Sequence, residues 1–143
     1  MRNNLGVDGL GDLVELPIVA TLATYRRDGT VLLSPVWHEW RDGGFNIVTD
    51  DGDVKARHVR KDSRASIALY ESGPPYRGIE LRGTARLVED GAFDAQRRIA
   101  IRYLGEKVGG AYAAEPSGTE IILRLEPGEL RTWDFADSSD FTE

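Results

Sequence analysis

Residues 79–88, Ile-Glu-Leu-Arg-Gly-Thr-Ala-Arg-Leu-Val, alternate strictly between two kinds of side chain. Ile79, Leu81, Gly83, Ala85 and Leu87 fall on one side, and Glu80, Arg82, Thr84 and Arg86 on the other. A period of two does not make a helix face; it defines a strand with one buried and one solvated surface. Strands of that kind belong to antiparallel sheets. Gly83, in the middle, marks a point where a backbone or a ligand comes close.

The rest of the chain repeats this grammar. Leu16–Tyr25 is rich in Val, Ile, Leu and Thr and closes on Asp28-Gly29, a hairpin signal. The return strand is expected over Val31–Trp40, with Val31, Leu33, Pro35 and Trp37 on one face and Leu32, Ser34, Val36 and His38 on the other. Both faces are largely apolar, which suits a strand buried in a barrel or packed on a partner. Pro35 has no backbone N–H to give a ladder, so it marks a bulge, an edge or a place where something other than a strand lies alongside. Arg41-Asp42-Gly43-Gly44 is a second turn before a strand at 45–49, and Ala65–Tyr70 reads as another strand ahead of a Gly73–Gly78 loop. Ala92–Leu104 is the one long helix, stopped by Gly105. Lys107–Gly118, with its glycines and proline, reads as a loop. Thr119–Leu125 and Glu129–Phe135 read as a final hairpin around Pro127-Gly128. An acidic tail from about 136 is expected to fray. Seven strand segments in two groups, parted by short helices, predict a mainly β (α+β) protein: a six- to seven-stranded antiparallel split or closed β-barrel.

Composition excludes several classes. The 143 residues form a single expected domain, with 41% hydrophobic and 29% charged residues, as in an ordinary globular protein. No apolar run nears the ~20 residues of a membrane span, and the first ten residues carry no signal-peptide pattern. The absence of cysteine excludes disulfides and thiolate catalysis and fits a cytoplasmic protein. A net charge of −6 argues against a nucleic-acid partner. His38 and His58 stand twenty residues apart with no metal-site spacing, and no hydrolase or dinucleotide motif is present.

One segment carries chemistry. After the strand ending at Thr49 comes an acidic turn (Asp50, Asp51, Asp53), then Lys55, Arg57, Arg60, Lys61 and Arg64. Cations just past a strand end make a seat for a phosphate, and a helix N-terminus there adds partial positive charge. The aspartates pull the other way; helix capping accounts for them. A merely solvated basic helix face is the competing reading.

The ordered blocks ATLAT, DGT, LLSPVW, IVTD, Lys-x-Arg and VRKD, followed by PY and ELRGTARLV, span Leu16 to Phe135. Together they resemble the split-barrel flavin-binding proteins related to pyridoxamine 5′-phosphate oxidase, and look nearest to the branch that uses the deazaflavin coenzyme F420. Two positions depart from the family pattern: His58 stands where Asn often follows the Lys-x-Arg block, and Asp53 where relatives are sometimes basic. The resemblance implies that Lys55, Arg57 and Arg60 hold the cofactor phosphate. It implies that Ser34, Pro35, Val36 and Trp37 form the strand against which the ring lies, and that Thr49 and Asp50 touch the ribityl chain. Trp37 as plain core, Tyr76 against cofactor or substrate or on the surface, and Trp133 at a partner's site or packed in the barrel stay open. The implied function is hydride transfer between bound F420 and an organic acceptor, in a homodimer with the cofactor at the subunit interface and a small-molecule substrate. Tyr76 is the one named proton-donor candidate. The alternatives are an FMN-dependent oxidase or reductase of the same fold, and a non-enzymatic carrier of flavin or haem.

Overall fold

The computed structural model describes residues 1–3 and 5–136. The expected acidic tail beyond Ala136 lies outside the described residues. Strand segments are β1 (Arg2–Asn3), β2 (Ala20–Tyr25), β3 (Val31–Val36), β4 (Glu39–Arg41), β5 (Gly44–Asp50), β6 (Arg64–Tyr70), β7 (Gly78–Val88), β8 (Glu120–Leu125) and β9 (Glu129–Asp134). Three helices accompany them: α1 (Val54–Lys61), α2 (Ala92–Leu104) and α3 (Glu106–Tyr112). All pairings are antiparallel, and the curled sheet follows the order β3-β2-β6-β7-β8-β5-β4, with β9 and β1 branching from β7. Seven strands have six residues or more, so the expected mainly β split barrel is the fold. No helix among the described residues is long and apolar enough to cross a membrane.

The split has a local cause at β7. Its first half pairs with β6 on one edge and with β9 on the other, from Gly78↔Trp133 to Arg82↔Glu129. Its second half pairs with β8, from Ala85↔Leu125 to Val88↔Ile122. Hence β8 and β9 do not form the expected hairpin: both run along one edge of β7, parted by a bulge at Glu126–Gly128. Two glycines permit it. A Cβ on Gly128 would sit 2.4 Å from the Arg82 carbonyl oxygen, and one on Gly83 2.8 Å from that of Glu126. Pro127, with no N–H to place in a ladder, occupies the interruption. The close approach expected at Gly83 is therefore to backbone.

The tight turns follow their residues. Asp42 (φ 52°) and Gly43 (φ 76°) make the two-residue turn between β4 and β5, where both central residues need positive φ. Asp28 Oδ1 accepts from the amide and hydroxyl of Thr30 to close the β2–β3 turn, with Gly29 at φ 85°. Inner-face residues Leu22, Phe45, Ile67, Leu69, Ile79, Leu81, Leu123 and Leu125 are fully buried and join Leu10 and Leu13 from the N-terminal 3₁₀ turns in one core.

Three further expectations are corrected. The first strand starts at Ala20 rather than Leu16. The strand expected over Val31–Trp40 breaks at Trp37-His38. Both changes trace to α2, whose side chains take the backbone groups a sheet would have used: Tyr103 Oη donates to the Ile18 carbonyl (2.7 Å) and accepts from the His38 amide (3.2 Å), and Arg102 donates to the carbonyls of Leu16 (3.1 Å) and His38. Third, the expected loop from Lys107 contains α3. Gly109 there is a contact point rather than a breaker: a Cβ would lie 2.5 Å from Ala100 O, so its absence lets α3 press onto α2.

β3 is a sheet edge, one of the places Pro35 pointed to. The face carrying Val31, Leu33 and Pro35, expected to be covered, is exposed in the single chain, with Leu33 at 65%.

Candidate functional site

An open pocket of ≈ 300 Å³ forms where the end of β3, the end of β5, the first turn of α1 and one face of α2 converge. Pro35, Val36 and Trp37 supply one wall, Ile47, Val48 and Thr49 the floor, Lys55 the basic end, and Gln96, Ile99 and Ala100 of α2 the far side; Tyr112 of α3 closes the rim. Residues 96, 99 and 100 recur at helical spacing, so a single face of α2 is presented.

The wall is aromatic and stiff. The Trp37 ring stacks on Tyr103 (centroids 4.9 Å apart, planes 9° apart) and meets Tyr112 at 5.7 Å and 52°. Trp37 therefore takes both roles left open for it, half-buried against α2 and lining the pocket.

Two arginines lock α2 in place. Arg98 grips Glu39 with two bonds (Nε–Oε2 3.1 Å, Nη2–Oε1 2.7 Å), and Asn46 Nδ2 adds a third to Oε1 (3.2 Å). Arg102 bonds the backbone at positions 16 and 38 as described above. His38 is wholly enclosed, its ring edge-on to Phe45 and Tyr103, and its Nε2 has no hydrogen-bond partner among the described residues. Burial, and then the Arg102 guanidinium beside it, push its pKa down from 6.5 to about 3.

The basic end is already balanced. Asp53 is the N-cap of α1: Oδ1 accepts from the Lys55 amide (3.2 Å), while Oδ2 accepts from Thr49 Oγ1 (3.0 Å) and Lys55 Nζ (3.2 Å). Burial works to raise the Asp53 pKa, but these hydrogen bonds and the Lys55 charge outweigh it and hold the carboxyl below its ordinary value. Any anion at Lys55 competes with this carboxylate.

Of the residues singled out in the sequence, Pro35, Val36, Trp37, Thr49 and Lys55 come together here. Ser34 adjoins them on β3, half-buried and paired with Leu22, but does not line the pocket. Asp50 is committed to its turn, accepting from Gly52 N (2.9 Å) and Thr119 Oγ1 (2.7 Å). Arg57 and Arg60 line a separate groove that shares no residue with the pocket, because positions 55 and 57 lie about 200° apart around a helix. Tyr76 sits in the Pro74-Pro75 turn at φ 56° and lines neither cavity. Trp133 packs over Gly78 of the adjacent strand, with Arg131 over its ring at 4.7 Å. The contribution of α2 and α3 is absent from the sequence reading. Its one visible signal is the placing of Arg98, Arg102 and Tyr103 on an otherwise amphipathic helix.

With this geometry in hand, the comparisons agree. The family model for pyridoxamine 5′-phosphate oxidase matches residues 9–134, and the chain belongs to that family. None of the curated proteins matches in sequence. A conserved hypothetical protein, Rv2991 from Mycobacterium tuberculosis, superposes with a TM-score of 0.76 at 25% identity, covering 92% of this chain and 86% of that one. An F420 reductase gives 0.69 at 22% identity, over 83% of this chain and 93% of its own. A pyridoxamine 5′-phosphate oxidase-related, FMN-binding protein from Nostoc punctiforme gives 0.62 at 16%, over 81% and 73%. At these identities the last two speak for the fold.

The state of His38 gives a pH signature. Unfolding exposes an imidazole of ordinary pKa, so below about pH 6.5 the unfolded chain takes up a proton that the folded chain refuses. Stability from this group is complete above that pH and falls as pH drops toward 3. Between pH 7.5 and 5 the loss from His38 is about 2 kcal/mol. Urea unfolding at the two pH values should show His38→Gln losing roughly that much less than the wild type; equal losses would mean that His38 is not held neutral.

Proposed function

We infer that this chain is an oxidoreductase that binds the deazaflavin coenzyme F420 and passes a hydride between it and a small organic acceptor. The observation that carries the reading is the pocket's donor set: the flat aromatic surface of Trp37, the ammonium of Lys55 and apolar residues of β5 line one cavity. Membership of the oxidase family and likeness to a protein named an F420 reductase support it. FMN is the alternative cofactor, supported by the FMN-binding neighbour.

The residues fit such a group chemically. Trp37, Val36 and Ile47 offer apolar surface to a ring system, Thr49 and Gln96 offer hydrogen bonds, and Lys55 offers a point charge to a phosphate. When bound, the cofactor supplies the hydride chemistry, and the protein's part is binding and orientation. Lys55 anchors the anionic end, and its ion pair with Asp53 restrains the ammonium. The Trp37–Tyr103 stack fixes the wall so that little freedom is lost on binding. Among the described residues the ionisable and hydroxyl groups that line the pocket are Thr49, Lys55 and Tyr112. The phenol at the rim is Tyr112, which replaces Tyr76 as the proton-donor candidate.

Titration of the purified chain with F420, followed by cofactor fluorescence, tests the reading. The wild type should bind saturably and reoxidise the reduced cofactor with an acceptor. Lys55→Ala should bind ten- to a hundredfold more weakly, a loss of about 1.5–3 kcal/mol for one charge-assisted contact. An unchanged dissociation constant would remove Lys55 from the site, and binding of FMN alone would replace the deazaflavin by the alternative.

The working unit of this reading is a homodimer with the site at its interface. The support is the exposed apolar edge: Val31, Leu33 and Pro35 of β3, with Val19 beside them, lie next to the pocket wall on a strand with one open side. An uncovered apolar edge strand is an association surface. Sedimentation should give twice the chain mass, and Leu33→Arg should shift it to the monomer mass; a wild-type monomer at micromolar concentration would contradict the shared site.

A further inference from the structure

Asp53 carries a charge that its place at the start of α1 does not require. We propose that Asp53 is a specificity-determining residue: paired with Lys55, it makes the basic end of the pocket accept a phosphodiester, with one negative charge, in preference to a phosphomonoester, with two. This rests on the pocket being the cofactor site and adds which kind of phosphate that site takes.

Capping alone does not call for a carboxylate. The cap bond uses one oxygen, Oδ1, which accepts from the Lys55 amide at 3.2 Å. Asn, Ser or Thr would make that bond comparably well. The second oxygen, Oδ2, bonds two groups that line the pocket, Thr49 Oγ1 at 3.0 Å and Lys55 Nζ at 3.2 Å. Nor is this an ordinary surface ion pair, of the kind that contributes little. The Lys55 and Asp53 side chains are 17% and 31% exposed, so their charges are screened less than those of freely solvated groups. Burial works to raise the Asp53 pKa, but the hydrogen bonds and the Lys55 charge hold it down, and the carboxylate stays ionised at neutral pH.

The pair sums to zero charge. Lys55 is the cation among the described residues that line the pocket, and a phosphate oxygen bonded to its ammonium shares it with Asp53 Oδ2. The lysine matches the first negative charge of a phosphate; a second meets the carboxylate with no further cation in the lining to offset it. Arg57 and Arg60 lie in the groove on the other side of α1, which they line with Arg26, and Arg60 is held by the Asp51 carbonyl. The helix N-terminus is also partly closed to an anion, since Asp53 already occupies the Lys55 amide. Asp50, in the same turn, is kept ionised by Gly52 N and Thr119 Oγ1 and adds to the repulsion.

The two cofactor candidates differ at this point. FMN ends in a phosphomonoester, whereas F420 carries its phosphate as a diester. The Asp53–Lys55 pair therefore favours F420 through charge alone, with no contact to the ring.

Fluorescence titration of the full chain with matched ligands is the measurement. The probes are FMN and the corresponding deazaflavin ribityl phosphate, each also as its methyl ester, at about pH 8, where a monoester with a second pKa of about 6 is dianionic. For the ring that binds, the wild type should hold the methyl ester roughly tenfold more tightly than the monoester. Asp53→Asn and Asp53→Ser, which keep a capping side chain and should keep the thermal midpoint, should erase that ratio by gaining affinity for the monoester. Equal wild-type affinity for ester and monoester, or a ratio unchanged in both variants, would overturn the role of Asp53 while leaving the pocket as the cofactor site. Saturable binding of neither ring would overturn both.

Discussion

Two partly buried arginine contacts decide where the sheet of this protein stops and its pocket begins. Arg98 and Arg102 reach from α2 into the strand region at 38–39, one onto the Glu39 carboxylate and the other onto the backbone of positions 16 and 38. Glu39 is almost wholly buried, and a carboxylate so placed needs its cation, because an unpaired buried charge costs several kcal/mol. The same contacts satisfy carbonyls that have left the sheet ladder. The strand is therefore interrupted at Trp37-His38, and Trp37 swings onto Tyr103 rather than continuing an alternation. An aromatic surface in the same cavity as Lys55 is the result. The pocket exists because a helix outbids a neighbouring strand for a few backbone groups.

Much of this fold was legible because the antiparallel sheet writes its pattern locally. The alternation at 79–88, the Asp28-Gly29 and Asp42-Gly43 turns and the stop at Gly105 each appear in the structure where the residues put them. The failures share a physical reason: each depended on a contact between distant segments. Pro127-Gly128 has the composition of a hairpin turn. Only the approach of Gly83, more than forty residues away in sequence, makes it a bulge beside β7. Gly109 and Gly110 have the composition of a loop, yet α3 forms because Gly109 fits against Ala100.

The site divides in the same way. Pro35, Val36, Trp37, Thr49 and Lys55, to which the family resemblance gave a common seat, share one pocket. The far wall could not be read, since Gln96, Ile99, Ala100 and Tyr112 become relevant only when α2 and α3 pack. The resemblance grouped Arg57 and Arg60 with Lys55 at the cofactor phosphate; in the structure they line the groove on the other side of α1. Helical geometry divides them, and the departure at His58 becomes intelligible as an anchor of α1 to Thr24. Asp53, which looked like an obstacle to anion binding, is a cap and a counter-charge that holds Lys55 at the pocket.

The central claim is that the pocket between Trp37 and Lys55, rather than the basic groove or the exposed face of β3, seats a flavin-type ring. A crystal structure of the protein grown with F420 or FMN tests it most directly. The account predicts the ring against residues 35–37 and 47–49, with its phosphate within hydrogen-bonding distance of Lys55 Nζ. A ring lying instead in the groove of Arg26 and Arg57, with the Trp37 pocket unchanged, would contradict it.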